Sequence, residues 1–131
     1  MDNVVKTIMA AMTAAIAYFF GGADAWLIAL TALIAIDYIT GVGKAFYLGQ
    51  LSSKEGLKGI IKKLMYFAMV AVAVILDNVT GAGGVLRMAV IGFLIANEAL
   101  SILENYAAVT GQKAPKILIS ILEKLKDEKS D

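Results

Sequence analysis

Four apolar stretches dominate the chain, at about residues 4–20, 25–48, 60–76 and 85–109. Within each, apolar side chains occur all round a helical projection rather than at every second position. That pattern predicts helices and argues against strands. A membrane-spanning helix needs roughly 20 apolar residues, within a range of about 17–25, and all four stretches fall in or near it. The punctuation between them agrees. Gly21-Gly22 can close the first helix, and Asp24 can cap the second. Gly49 suits the residue after the second, while Ser52 and Glu55 form a capping box for the third. Gly81-Ala82-Gly83-Gly84 separates the third from the fourth, and Gly111 follows the fourth.

A fifth pattern, PKILISILEKLK, is amphipathic, and Pro115 suits its first turn. Ile117, Leu118, Ile121, Leu122 and Leu125 share one face, with Lys116, Ser120, Glu123 and Lys124 on the other. This segment is too short and too charged to span. It predicts a helix lying on the membrane surface, or one that joins subunits. The solvated tail KDEKSD follows. The expected architecture is an all-α membrane protein. Residues 1–111 form a four-helix transmembrane domain, and 112–131 form an amphipathic helix with a charged tail.

Composition strengthens the membrane reading. Apolar residues make up 60% of the 131, against about 45–50% in a soluble domain, and the mean hydropathy is +0.77. A soluble core cannot hide that many apolar side chains, so a bilayer is the natural sink. The net charge of +1 gives no reason to expect nucleic acid as a partner. The chain has no Cys and no His, which removes thiol chemistry, disulfides, Cys/His metal sites and imidazole catalysis. No nucleophile elbow or phosphate-binding glycine loop is present. Neither an enzyme nor a cofactor nor a metal site is expected.

Lysine placement sets the expected orientation. Lys54 and Lys58 lie between spans two and three, flanked by Lys44, Lys62 and Lys63. Lys6 lies near the N-terminus, and Lys113, Lys116, Lys124, Lys126 and Lys129 near the C-terminus. The turns GGADA and DNVTGAGG carry no base. Both termini and the middle loop are therefore expected on the cytoplasmic side of the membrane. Lys6, the apolar run after it and Ala23-Asp24-Ala25 also outline a cleavable leader. The basic region is thin for that role, which favours a retained first span.

The spans contain charges that need an account. Asp37 sits near the midpoint of span two, and Lys44 follows seven residues later. A charge at a span centre costs about 2.5–3.5 kcal/mol, and each Leu, Ile, Phe or Val returns about 0.3–0.6. Span two has ten such residues, worth roughly 3–6 kcal/mol, so Asp37 cancels much of the gain unless paired, protonated or wet. Asp37, Thr40, Gly41 and Lys44 share one face, and Lys44 can snorkel to the interface. Span four carries a second polar stripe through Arg87, Glu98, Ser101 and Asn105. Its other side has Ala89, Gly92, Ala96 and Ala99, small residues that permit close helix contact. Asp77 ends span three where Arg87 begins span four, so the two form a candidate outer ion pair. Span one has small residues at Ala10 and Ala14, among others, and span three is apolar all round until Asp77. Span three is expected either to face lipid or, like span one, to be an ordinary helix of the bundle. Two readings of the embedded charges stand. They pair inside the bundle and fix its packing, or they line a water-accessible path in an oligomer.

Three motifs carry a family resemblance. They are Asp37, Thr40 and Gly41 in span two; Ser52, Ser53, Gly56 and Gly59 in the loop; and Asn97, Glu98, Ser101, Glu104 and Asn105 in span four. With these, roughly residues 30–125 resemble the phage holin family that includes clostridial toxin-secretion holins. The resemblance implies a homo-oligomer in the inner membrane of an infected bacterium. It would open lesions that release an endolysin, or export a toxin, as cargo that is not specifically bound. Asp37, Thr40, Gly41, Lys44, Arg87, Asn97, Glu98, Ser101, Glu104 and Asn105 are the pore-lining or buried-charge candidates. Ala10, Ala14, Gly92 and Ala96 are the candidates for contact between subunits. The expected mechanism starts from four-helix subunits inserted with their charges paired or hidden, whose polar stripes turn toward water as they assemble. Two alternatives remain. One is a small four-helix multidrug exporter, whose key acid lies in the first span, where this chain has none. The other is a non-conducting scaffold or antiholin.

Overall fold

A computed structural model describes residues 2–112 and 116–130. The expectations for Lys113 and Pro115, and for the side chains of Ile117 and Lys129, lie outside the described residues. The described chain is helical throughout: α1 (Asp2–Phe20), α2 (Ala25–Tyr47), α3 (Ser53–Thr80), α4 (Val85–Thr110) and α5 (Lys116–Ser130). The first four are long and apolar enough to cross a membrane.

The helix ends form where local chemistry places them. The Asp24 carboxylate accepts from the Leu27 amide at 3.0 Å and caps α2. The Ser52 hydroxyl accepts from the Glu55 amide at 3.4 Å and caps α3. Gly81 and Gly111 close α3 and α4 in the left-handed region, each at φ 70°, where a Cβ would be strained.

Helix α4 is the organising element, packed against α2, α3 and α5, while α1 rests on α3. The core interleaves Leu27, Leu30 and Ile34 of α2, Tyr66, Val70 and Val74 of α3, and Ile91 and Leu94 of α4. Helix α3 therefore does not simply face lipid, as its uniform hydropathy implied. Its face carrying Tyr66, Val70, Ala73, Val74 and Asp77 is buried, and Leu64, Met65 and Val72 point outward. Helix α1 is the peripheral one, with no buried residue. Phe20 at its end meets Phe67 edge to face, with ring centroids 6.1 Å apart.

Each buried stripe runs from apolar into charged residues without changing face. In α2 it reads Leu27, Leu30, Ile34, Asp37, and in α4 Arg87, Ile91, Leu94, Glu98, Asn105. These intervals of three and four residues keep one side of a helix. The apolar middle of the bundle thus lies between two polar layers.

The small-residue expectations divide. Ala10 and Ala14 on α1 are exposed, so they are free to meet another surface. Ala96 is only 1% exposed and Gly92 is half-buried, so close packing within the subunit already uses the Ala96 side. The fifth helix turns back along α4. Lys126 near its end reaches Asn97, thirteen residues before the end of α4. It lies neither apart from the bundle nor as a separate surface element.

Candidate functional site

The inner polar layer is built around Lys63. This residue stands in the third turn of α3, because the helix begins at Ser53, well before the apolar span. Its ammonium lies 2.5 Å from Oδ2 of Asp37 on α2 and 2.5 Å from Oε2 of Glu98 on α4. One cation therefore staples three helices. Asp37 and Glu98 are 7% and 0% exposed, so the shared cation offsets part of the cost of burying them. The arrangement answers the cost of an acid at mid-span: the compensating charge is in the same chain.

Asn105 completes the layer on the α4 side. Its amide nitrogen donates to Asp37 Oδ1 at 3.1 Å, to the Asp37 carbonyl at 3.3 Å and to the Thr40 hydroxyl at 2.9 Å. Thr40 in turn donates to the Ile36 carbonyl. Gly41 lies beside this contact, where an added Cβ would meet the Asn105 amide nitrogen at an ordinary 3.7 Å. Oε1 of Glu98 is buried and accepts no hydrogen bond from the described residues. Leaving a buried polar atom unpaired costs about 1–3 kcal/mol.

A second chain of polar contacts leaves the cluster sideways. The Lys63 ammonium lies 5.4 Å from the centre of the Tyr66 ring. The Asn97 amide donates to the Tyr66 hydroxyl at 3.1 Å, and the Lys126 ammonium donates to Asn97 Oδ1 at 3.0 Å. A cavity of about 260 Å³ runs from the α2–α3 loop down to the cluster. Gln50, Ser52 and Glu55 stand at its outer end, and Asp37, Lys63, Ser101 and Asn105 line it more deeply. The Tyr38 ring forms one wall. It packs against Gly59, and its hydroxyl donates to the Gly56 carbonyl at 3.3 Å. The glycine pair of the loop motif thus lies alongside an aromatic ring, where an added Cβ would make contact at 3.4 and 3.5 Å.

The outer polar layer centres on Arg87. Its guanidinium donates to both oxygens of Asp24, at 2.8 and 3.1 Å. It also donates to the carbonyls of Phe20 at 2.6 Å and Gly22 at 3.1 Å, which closes the end of α1. The hydrogen bond from Arg87 and that from the Leu27 amide hold the Asp24 carboxyl down at about 2. The expected side-chain pair of Asp77 with Arg87 does not form. The Asp77 carboxylate instead accepts the backbone amides of Leu86 at 3.0 Å and Arg87 at 2.8 Å. Those amides are unsatisfied at the start of α4, where Gly84 offers no side-chain cap, so the acid is drawn to the helix end.

The remaining candidates separate. Lys44 lies half-buried in the last turn of α2 and pairs with no carboxylate among the described residues. Glu104 is exposed and faces α5 across a cavity. The sequence reading missed Lys63 as the central partner, and with it Tyr66, Lys126 and Asp24. A signal for Lys63 was available. Lys63, Val70 and Asp77 are spaced by seven, so the lysine belongs to the buried stripe and not only to the basic loop.

Comparison with known proteins adds to this geometry. The profile of the bacteriophage holin family matches residues 14–127. An uncharacterized protein of Listeria innocua, Lin0175, is 39% identical over 122 residues, covering 93% of this chain and 86% of the relative. A Bacillus phage phi105 protein named a probable holin is 37% identical over 118 residues, covering 88% and 86%. An uncharacterized 14.9 kDa protein of Clostridium perfringens is 36% identical over 133 residues, covering 98% and 100%. No solved structure matches the chain.

Proposed function

The chain belongs to the bacteriophage holin family, and from that premise we propose that it oligomerises in the bacterial cytoplasmic membrane and opens lesions through it. The observation that carries this reading is the probable holin of phage phi105, similar over most of both chains. Endolysin is the proposed cargo and passes without being specifically bound. Export of a toxin through the same lesion is the second use.

The geometry supports a defined starting state. Lys63 pairs with both Asp37 and Glu98 inside one subunit, one cation for two acids, so most of the compensation is in place before partners arrive. Helix α1, with Ala10 and Ala14 outward, and the outer face of α3 remain for contact with lipid or other copies. The cluster then acts as a staple that keeps α2, α3 and α4 together while subunits associate. The rival role, in which Asp37 and Glu98 turn to line the lumen, requires that staple to break. The unpaired Oε1 of Glu98 is the point that hydration would stabilise.

The test is induction in a bacterium carrying a potential-sensitive dye, with and without a co-expressed endolysin. Abrupt depolarisation followed by endolysin-dependent lysis is the expected result. Drug resistance without depolarisation favours an exporter, and neither effect favours a scaffold. In purified vesicles, dye release should rise cooperatively with protein density. Vesicles that stay tight at every density overturn the proposal.

A further inference from the structure

Helix α5 carries three distinct faces once it is docked. Ile119, Leu122 and Lys126, at intervals of three and four, are the half-buried positions on the α4 side. The expected apolar face is split: Leu122 is on the α4 side, while Leu118, Ile121 and Leu125 are turned away and 41%, 51% and 43% exposed. On the opposite flank Lys116, Ser120, Glu123 and Lys124 are also exposed.

The depth of this helix is what makes the charged flank informative. The Lys126 ammonium donates to Asn97 at 3.0 Å and lies 5.5 Å from the centre of the Phe93 ring. Asn97 is thirteen residues inside α4, about 20 Å from its end at 1.5 Å per residue. Hydrocarbon is roughly 30 Å thick, and α4 with its 26 residues is about 39 Å long, so even with the whole surplus on this side a docked α5 reaches about 10 Å into it. A lipid tail against Glu123 and Lys124 at that depth is strongly unfavourable, because neither charge has a salt-bridge partner among the described residues to share its desolvation. The same flank borders a second cavity of about 230 Å³ between α4 and α5. Glu104, Lys116 and Glu123 edge that cavity over a floor of Leu100, Leu103 and Ile119. Space of that size is large enough for water, and the three charged side chains at its edge offer it polar partners.

We propose that the charged flank of α5 faces water at spanning depth, so that the α4–α5 side of the subunit borders an aqueous space within the membrane. The apolar flank through Leu118, Ile121 and Leu125 then meets lipid or a neighbouring copy. The polar surface offered to hydrated ions or cargo is that of α5 and Glu104, while Asp37 and Glu98 stay inside the bundle. The inference needs membrane insertion, not lesion formation, and the two fail separately.

Introduced cysteines are the only thiols, since the chain has none. In vesicles, L103C/I119C treated with a short bismaleimide reports docking, because both positions line one cavity. Spin labels at K124C and L125C report the surroundings of the two flanks through collision with a water-soluble nickel chelate and with oxygen. Efficient cross-linking is expected, together with a several-fold higher nickel-to-oxygen ratio at Lys124 than at Leu125. Cross-linking with equal ratios at the two positions overturns the proposal. So does absence of the cross-link, which places α5 away from α4 in the membrane. Dye release measured on the same vesicles reads lesion formation independently.

Discussion

The Lys63 ammonium reaches the Glu98 carboxylate at 2.5 Å, and so ties the third turn of α3 to the middle of α4. Asp37 shares the same cation from α2. The three-helix core is therefore cross-linked through one cation before any second subunit arrives.

Removing that cation should be far worse than removing the whole set. Lys63→Met leaves two acids buried side by side and should cost about 3–5 kcal/mol. The loss appears as reduced folded yield and earlier unfolding in detergent. Adding Asp37→Asn and Glu98→Gln to Lys63→Met should restore most of it. If the triple variant also still releases dye from vesicles, the acids serve packing. A well-folded but silent triple variant assigns them to the lumen.

Gly21 and Gly22 should respond differently to the same methyl group. Both have positive φ, at 78° and 108°, so Ala is strained at either. At Gly21 the new Cβ would also sit 2.6 Å from Arg87 Nε, whereas at Gly22 nothing lies within 4 Å. Gly21→Ala should exceed the strain of roughly 1–2 kcal/mol for a left-handed residue, by pushing the guanidinium off the end of α1. Gly22→Ala should show the strain alone. Thermal unfolding of the two variants makes the comparison.

Asp24 predicts an acid-sensitive turn. Its folded pKa is about 2 against an ordinary 3.8. A depressed carboxyl contributes stability above pH about 4 and loses it as pH falls toward 2. The side chain is 44% exposed, so solvent screening keeps the effect to about 1 kcal/mol or less. Asp24→Asn should flatten the stability profile between pH 2 and 4 while lowering stability at neutral pH.

Topology can be read with single cysteines in intact cells. Cysteines at Ala23 and Ala82 should react with an impermeant maleimide from outside, and one at Ser53 should not. The reverse pattern inverts the proposed orientation.

Much of the fold was legible along the chain because its causes are local. Span lengths follow from runs of apolar residues, and the ends follow from Asp24, Ser52, Gly81 and Gly111, whose roles need only a few neighbouring residues. Asp37, Glu98 and Asn105 could be identified as costly or polar residues at depth for the same reason. Their partners could not. Lys63 lies 26 and 35 residues from the acids it joins, and beside Lys62 at the edge of a basic loop it resembled an orientation signal. Arg87 was near Asp77 along the chain, yet its guanidinium turned to Asp24, 63 residues away, because Asp77 was taken by free amides.

The primary structure by itself determined that four helices bury in hydrocarbon and that charges accompany them, since hydropathy and helix capping depend on residues within a turn or two. Only the tertiary structure decided which charges neutralise one another, that α3 is core and α1 peripheral, and that α5 turns a charged flank outward beside α4. Those outcomes depend on which face each helix presents to the others. A uniformly apolar helix such as α3 leaves that choice open until its neighbours are in place.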